Sequence, residues 1–96
     1  QAQALHSLGQ LIGKDHNRVS EAEALLRWSL VILERLHDRN GQAQVLFSLG
    51  RTIWEIKQTE AEQMFRRSIV LNRELKNGWA LRMVQKELDN RLKKQK

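Results

Sequence analysis

Cysteine, proline and tyrosine are absent from this 96-residue chain. Without cysteine there are no disulfides, no thiolate metal sites and no cysteine nucleophile. Without proline nothing interrupts a helix covalently, and Ala, Leu, Glu, Gln, Lys and Arg dominate almost every window, all of them good helix formers. Long hydrophobic runs are missing too: the longest, Leu30 to Leu33, is far short of a membrane span. The chain does not open on a basic stretch followed by an apolar core, as a secretory leader would, and Gln1 in place of an initiator methionine suggests a segment of something longer. Rings are scarce, three Trp and two Phe, so where each one falls carries weight.

What is present suits one folded domain. The chain is 41% hydrophobic and 29% charged, enough aliphatic surface to offset the entropy of ordering. Its net charge of +6 is uneven, residues 79–96 holding six basic groups against two acidic. Arg82, Lys86, Arg91, Lys93, Lys94 and Lys96 give that last segment a basic side, which is either a nucleic-acid or acidic-surface contact or a solvated helix face. Glu87 and Asp89 interrupt it at the spacing that pairs them with Arg91 and Lys93, and no base-reading motif accompanies it. Nucleic acid is therefore a disfavoured partner.

An internal repeat is the strongest signal. Residues 1–9, QAQALHSLG, recur as residues 42–50, QAQVLFSLG, with seven of nine positions identical. Residues 21–29, EAEALLRWS, recur in outline as residues 60–68, EAEQMFRRS. Leu5, Leu8 and Ile12, and again Leu46, Leu49 and Ile53, are spaced by three and four, giving one apolar stripe to each first helix. The second helices carry Ala22, Leu26, Ser29 and Leu33, then Ala61, Phe65 and Ser68. Ser20 with Glu23 and Thr59 with Glu62 have capping-box spacing, and Asn40-Gly41 and Asn77-Gly78 are placed to end the second helices through a left-handed glycine. These signals predict five helices over about 1–15, 20–38, 42–56, 59–76 and 79–94. Gly9 and Gly50 fall inside helices, where each costs roughly 1 kcal/mol relative to Ala. Their recurrence predicts a close approach of the second helix, with Ala22, Ala61, Ser29 and Ser68 as low points on its surface.

The Leu8-Gly9 and Leu49-Gly50 pairs, with Ala22, Leu26 and Ser29 and their counterparts Ala61, Phe65 and Ser68, resemble the tetratricopeptide repeat (TPR) family, in particular its longer-period members in bacterial regulators and scaffolds. The likeness covers residues 1–78 and departs from the family in lacking the proline after each second helix. It implies an all-α, right-handed superhelical array: a hairpin over 1–41, a second over 42–78, and a capping or connecting helix over 79–96, where Lys86-Glu87 stands in place of Leu-Gly.

That resemblance implies a non-catalytic, cytoplasmic interaction or scaffold module that holds a peptide or partner protein in a groove lined by the first helices. Gln3, His6, Ser7, Gln10 and Lys14 would face the groove from the first helix. Gln44, Phe47, Ser48, Arg51, Trp54 and Glu55 would do so from the third, and Leu81, Val84 and Leu88 from the last. Phe47, Arg51 and Trp54 share one helical face and are of the kinds enriched at binding hot spots; the alternative is that the rings bury against neighbouring helices. The Lys, Asn and Arg clamp by which chaperone-binding relatives hold a terminal carboxylate is replaced here by His6, Gln10 and Ser48. Trp28 lies where the family usually has a polar residue, marking either a shield for Leu25 and Ile32 or a contact between copies, so self-association is the alternative function. Trp79, with Met83 one turn on, is expected in the core. His6, His16 and His37 make no ligand pattern; Glu34 and His37 are three apart, but no second such pair completes a di-iron site. No glycine-rich phosphate loop or nucleophile elbow is present, so no cofactor, metal or catalytic residue is expected.

Overall fold

A computed structural model describes residues 1–94. Five α-helices follow one another: α1 (Ala2–Ile12), α2 (Val19–Arg35), α3 (Arg39–Ile53), α4 (Gln58–Glu74) and α5 (Gly78–Lys93), with one turn of 3-10 helix, His16–Arg18, between the first two. No strand occurs among the described residues. Each helix packs on its neighbour in sequence, and α1 also touches α3. The molecule measures 39 × 36 × 18 Å, and its short dimension is that of two helix diameters.

The two glycines are close-packing points. A Cβ on Gly50 would lie 2.9 Å from the Phe65 ring and 3.1 Å from the Ala61 carbonyl; one on Gly9 would lie 2.8 Å from Leu26 Cγ and 3.3 Å from the Ala22 carbonyl. The same helix pairs are joined by matching polar contacts. Ser29 Oγ donates to the Ala2 carbonyl at 2.8 Å, and Ser68 Oγ donates to the Ala43 carbonyl at 2.7 Å. Each buried hydroxyl is thus satisfied across its own hairpin.

Two apolar clusters hold the hairpins together. Leu26, Leu30 and Leu33 of α2 meet Val45, Leu46 and Leu49 of α3 and Met64 of α4. Ile53, Trp54, Ala61 and Phe65 meet Val84 and Leu88 of α5. Leu8, the counterpart of fully buried Leu49, is 45% exposed, because among the described residues no helix covers it as α2 covers Leu49. A polar link reinforces the first cluster. Glu23 accepts from Arg27 at 2.8 Å and from Lys57 at 3.0 Å, and Arg27 also reaches Glu60 at 2.5 Å. Burial alone would raise the Glu23 carboxyl, but the Lys57 and Arg27 hydrogen bonds outweigh it and hold it below its ordinary range.

Helix ends differ from the sequence expectation. Neither capping box forms: α2 and α4 begin after Arg18 and Lys57, without a side-chain cap, and Ser20 and Thr59 lie inside the helices. Glu23 is drawn instead to Arg27 and Lys57, and Glu62 to Arg66 at 2.6 Å. The Asn-Gly pairs open helices rather than close them. Asn40 and Gly41 fall in the first turn of α3, capped by Asp38 through the Gly41 amide at 2.9 Å. Asn77 caps α5 through the Ala80 amide at 3.2 Å.

No glycine among the described residues has positive φ; the left-handed residues are His37 and Lys76, at 55° and 57°. Both sit in Schellman motifs. Asp38 N–H donates to the Leu33 carbonyl and His37 N–H to Glu34, while Asn77 N–H donates to Asn72 and Lys76 N–H to Arg73.

Candidate functional site

The first, third and fifth helices enclose two adjoining hollows that share Gln10 and Ser48. The larger, about 380 Å³, is lined by His6 from α1, Gln44 and Phe47 from α3, and Trp79, Met83 and Val84 from α5, with Asn40, Asn72 and Asn77 also in its lining. The second, about 350 Å³, is lined by Gly13 and Lys14 after α1, Arg51 and Thr52 of α3, and Arg91 of α5.

Between the hollows, the polar floor is tied together. His6 Nε2 lies 2.7 Å from Ser48 Oγ, which also accepts from Gln10 Nε2 at 2.9 Å. The Ser48 hydroxyl can donate to Nε2 when the ring is neutral with its proton on Nδ1. Partial burial pushes the His6 imidazole below its ordinary 6.5, which favours that neutral ring. His6 and Gln10 therefore brace α1 on α3 as well as bordering the hollow.

The face bearing Phe47, Arg51 and Trp54 divides. Trp54 is 6% exposed, with its ring 5.9 Å from that of Phe65 in an edge-on contact. It is a core residue, not a groove residue, because α3 ends there and its ring turns under α5. Phe47 is half-buried, its ring 5.7 Å from Phe65, and its other side borders the larger hollow. Arg51 is exposed, its guanidinium 5.5 Å from the Phe47 ring centre. Arg91 is fixed in place: its guanidinium lies 5.5 Å from the Trp54 ring centre and 5.7 Å from that of Phe65, and donates to Glu87 at 2.7 Å.

On α5 the expectations are met only in part. Val84 and Leu88, expected along the groove, are buried against α3 and α4, and of the two only Val84 also lines the larger hollow. Trp79, expected in the core, is 70% exposed and lines the larger hollow with Met83. The signal was available: Val84 and Leu88 define the buried stripe, and at 100° per residue Trp79 stands about 140° from Val84. Asn72 is buried, and its amide donates to Ser68 Oγ at 3.4 Å.

The remaining candidates stand apart. Trp28 is 59% exposed on α2 and lies outside both hollows. The basic side of α5 is broken up: Arg82, Lys86, Lys93 and Lys94 are exposed, whereas Arg91 is turned inward and paired. Lys96 lies outside the described residues. Among the described residues no three His, Asp or Glu are grouped to hold a metal ion, and no helix is long and apolar enough to cross a membrane.

These observations define an all-α protein with a recess on the side formed by its first, third and fifth helices. Comparison with protein-family models, with curated proteins and with solved structures found no match.

Proposed function

We propose that this chain is a non-catalytic docking module of the tetratricopeptide kind, receiving an extended segment of a partner protein along α1, α3 and α5. The observation that carries the reading is Trp79. A tryptophan left 70% exposed, in a hollow it shares with Phe47 and Met83 and with the side-chain amides of Gln10, Asn40, Gln44, Asn72 and Asn77, offers an apolar anchor with donors and acceptors for a peptide backbone nearby. The TPR assignment is supported by the recurring hairpin contacts, Gly9 on Leu26 and Gly50 on Phe65, Ser29 to Ala2 and Ser68 to Ala43.

The test is selection of random dodecapeptides against the immobilised protein, followed by titration of the enriched peptides. Saturable binding is expected, reduced about tenfold or more by Trp79→Ser, as for a central aromatic anchor, and unchanged by Trp28→Ser. Failure to enrich any sequence, or equal binding to the Trp79→Ser protein, would refute the reading.

A further inference from the structure

Charge in the recess is confined to one end. Neither hollow is lined by a single Asp or Glu, although the chain has eleven. Apart from His6, the larger hollow is lined by uncharged side chains, its amides, rings, Ser48 and aliphatic groups, whereas the smaller carries Lys14, Arg51 and Arg91. Arg91 is already paired with Glu87. Lys14 and Arg51 take part in no ion pair among the described residues. An aromatic slot and an uncompensated cationic seat therefore adjoin, joined through the Arg51 guanidinium above the Phe47 ring.

Their spacing is set by α3. Phe47 and Arg51 are four residues apart, about 6 Å along a helix axis. In an extended peptide, residues two apart point to the same side and are separated by about 6.7 Å. One face of such a peptide can fill both places at once.

We propose that the segment recognised is acidic, with an aromatic or large apolar side chain in the slot of Phe47, Trp79 and Met83, and an Asp or Glu side chain two positions away on Arg51 and Lys14. This rests on the docking reading above and narrows its ligand. The cationic seat draws a carboxylate by charge. The slot fixes its register, because a residue adjacent to the ring would point away from the groove floor.

The experiment is an NMR titration of the isotope-labelled full chain with blocked pentapeptides, which carry no terminal charge. The probe is acetyl-Ser-Phe-Ser-Glu-Ser-amide and its reverse-order partner, acetyl-Ser-Glu-Ser-Phe-Ser-amide. At least one is expected to shift the amides of Phe47 and Arg51 and the indole of Trp79 saturably. Replacing its Glu by Gln, or its Phe by Ala, should weaken binding about fivefold, the scale of a partly exposed charge pair or a modest apolar anchor. Arg51→Gln and Lys14→Gln should each reduce the difference between the Glu and Gln peptides while leaving the rest of the spectrum in place.

Equal binding of the Glu and Gln peptides would overturn the acidic assignment and leave the docking reading standing. Equal binding of a peptide with Phe and Glu adjacent would overturn the register. Inorganic phosphate alone producing the same shifts at equal strength would reduce the seat to a general anion site and overturn the proposal. So would the absence of any shift in the groove at millimolar peptide, and the selection experiment would then decide the docking reading separately.

Discussion

Gly50 shows how much a single residue controls. Placing a methyl group there would force it to 2.9 Å from the Phe65 ring and 3.1 Å from a backbone oxygen, and Phe65 is itself fully buried against Trp54 and Val84. Overpacking of this kind costs about 1–3 kcal/mol, which exceeds the roughly 1 kcal/mol of helix propensity that alanine regains. Gly50→Ala is therefore expected to lower stability by about 1 kcal/mol in urea unfolding, and a midpoint at or above that of the parent would refute the close-packing role. Gly78→Ala is the control: nothing lies within 4 Å of its added Cβ, so the same measurement should show no loss. The need for glycine at positions 9 and 50 was legible in the sequence, since a costly residue recurred in matching segments. Trp54 was not, because a ring at a helix end turns toward whichever neighbour is nearest.

At the scale of the elements, periodicity placed the helices and misjudged their ends. All five were readable, but α3 begins three residues earlier than expected and its Asn40-Gly41 pair lies within the first turn. The reason is competition among local hydrogen bonds: Asp38 reaches the Gly41 amide, and His37 takes the left-handed turn that the glycine was expected to supply. A side chain at positive φ is strained by roughly 1–2 kcal/mol, part of which glycine returns as lost backbone entropy. His37→Gly and Lys76→Gly are each expected to raise stability by about 0.5 kcal/mol, measured as a higher thermal midpoint. A lower midpoint in both would mean that these side chains contribute contacts outweighing the strain. The capping boxes failed for a related reason. Glu23 and Glu62 had stronger cationic partners than a backbone amide.

For the whole molecule, two groups tie the helices together and both make stability depend on acid. His6, in contact with Ser48, has its folded value below 6.5 because partial burial disfavours the charged ring. Its contribution is full above 6.5, the unfolded value, and is lost as pH falls through the folded value, because the unfolded chain then binds the extra proton. Glu23 behaves likewise in a lower window: its contribution is present above 4.5 and is lost as pH falls through its depressed folded value. Unfolding free energy should thus decline in two stages on acidification, and His6→Gln should remove the upper one selectively. An unchanged profile between pH 6.5 and the onset of carboxylate titration in His6→Gln would exclude the bridge as its source.

The sequence by itself determined that this chain is helical, how many helices it has, and which small residues let them approach, because these follow from local propensity and from a period of 3.6 residues. Only the tertiary structure decided which rings are buried and which are presented. Trp54 and Trp79 are the same residue type, one at the end of α3 and the other at the start of α5, yet one lies under α5 and the other stands in the recess. Burial is set by the neighbour that arrives from elsewhere in the chain. The joining of a neutral, ring-lined hollow to a cationic one likewise arises only when α1, α3 and α5 are set side by side.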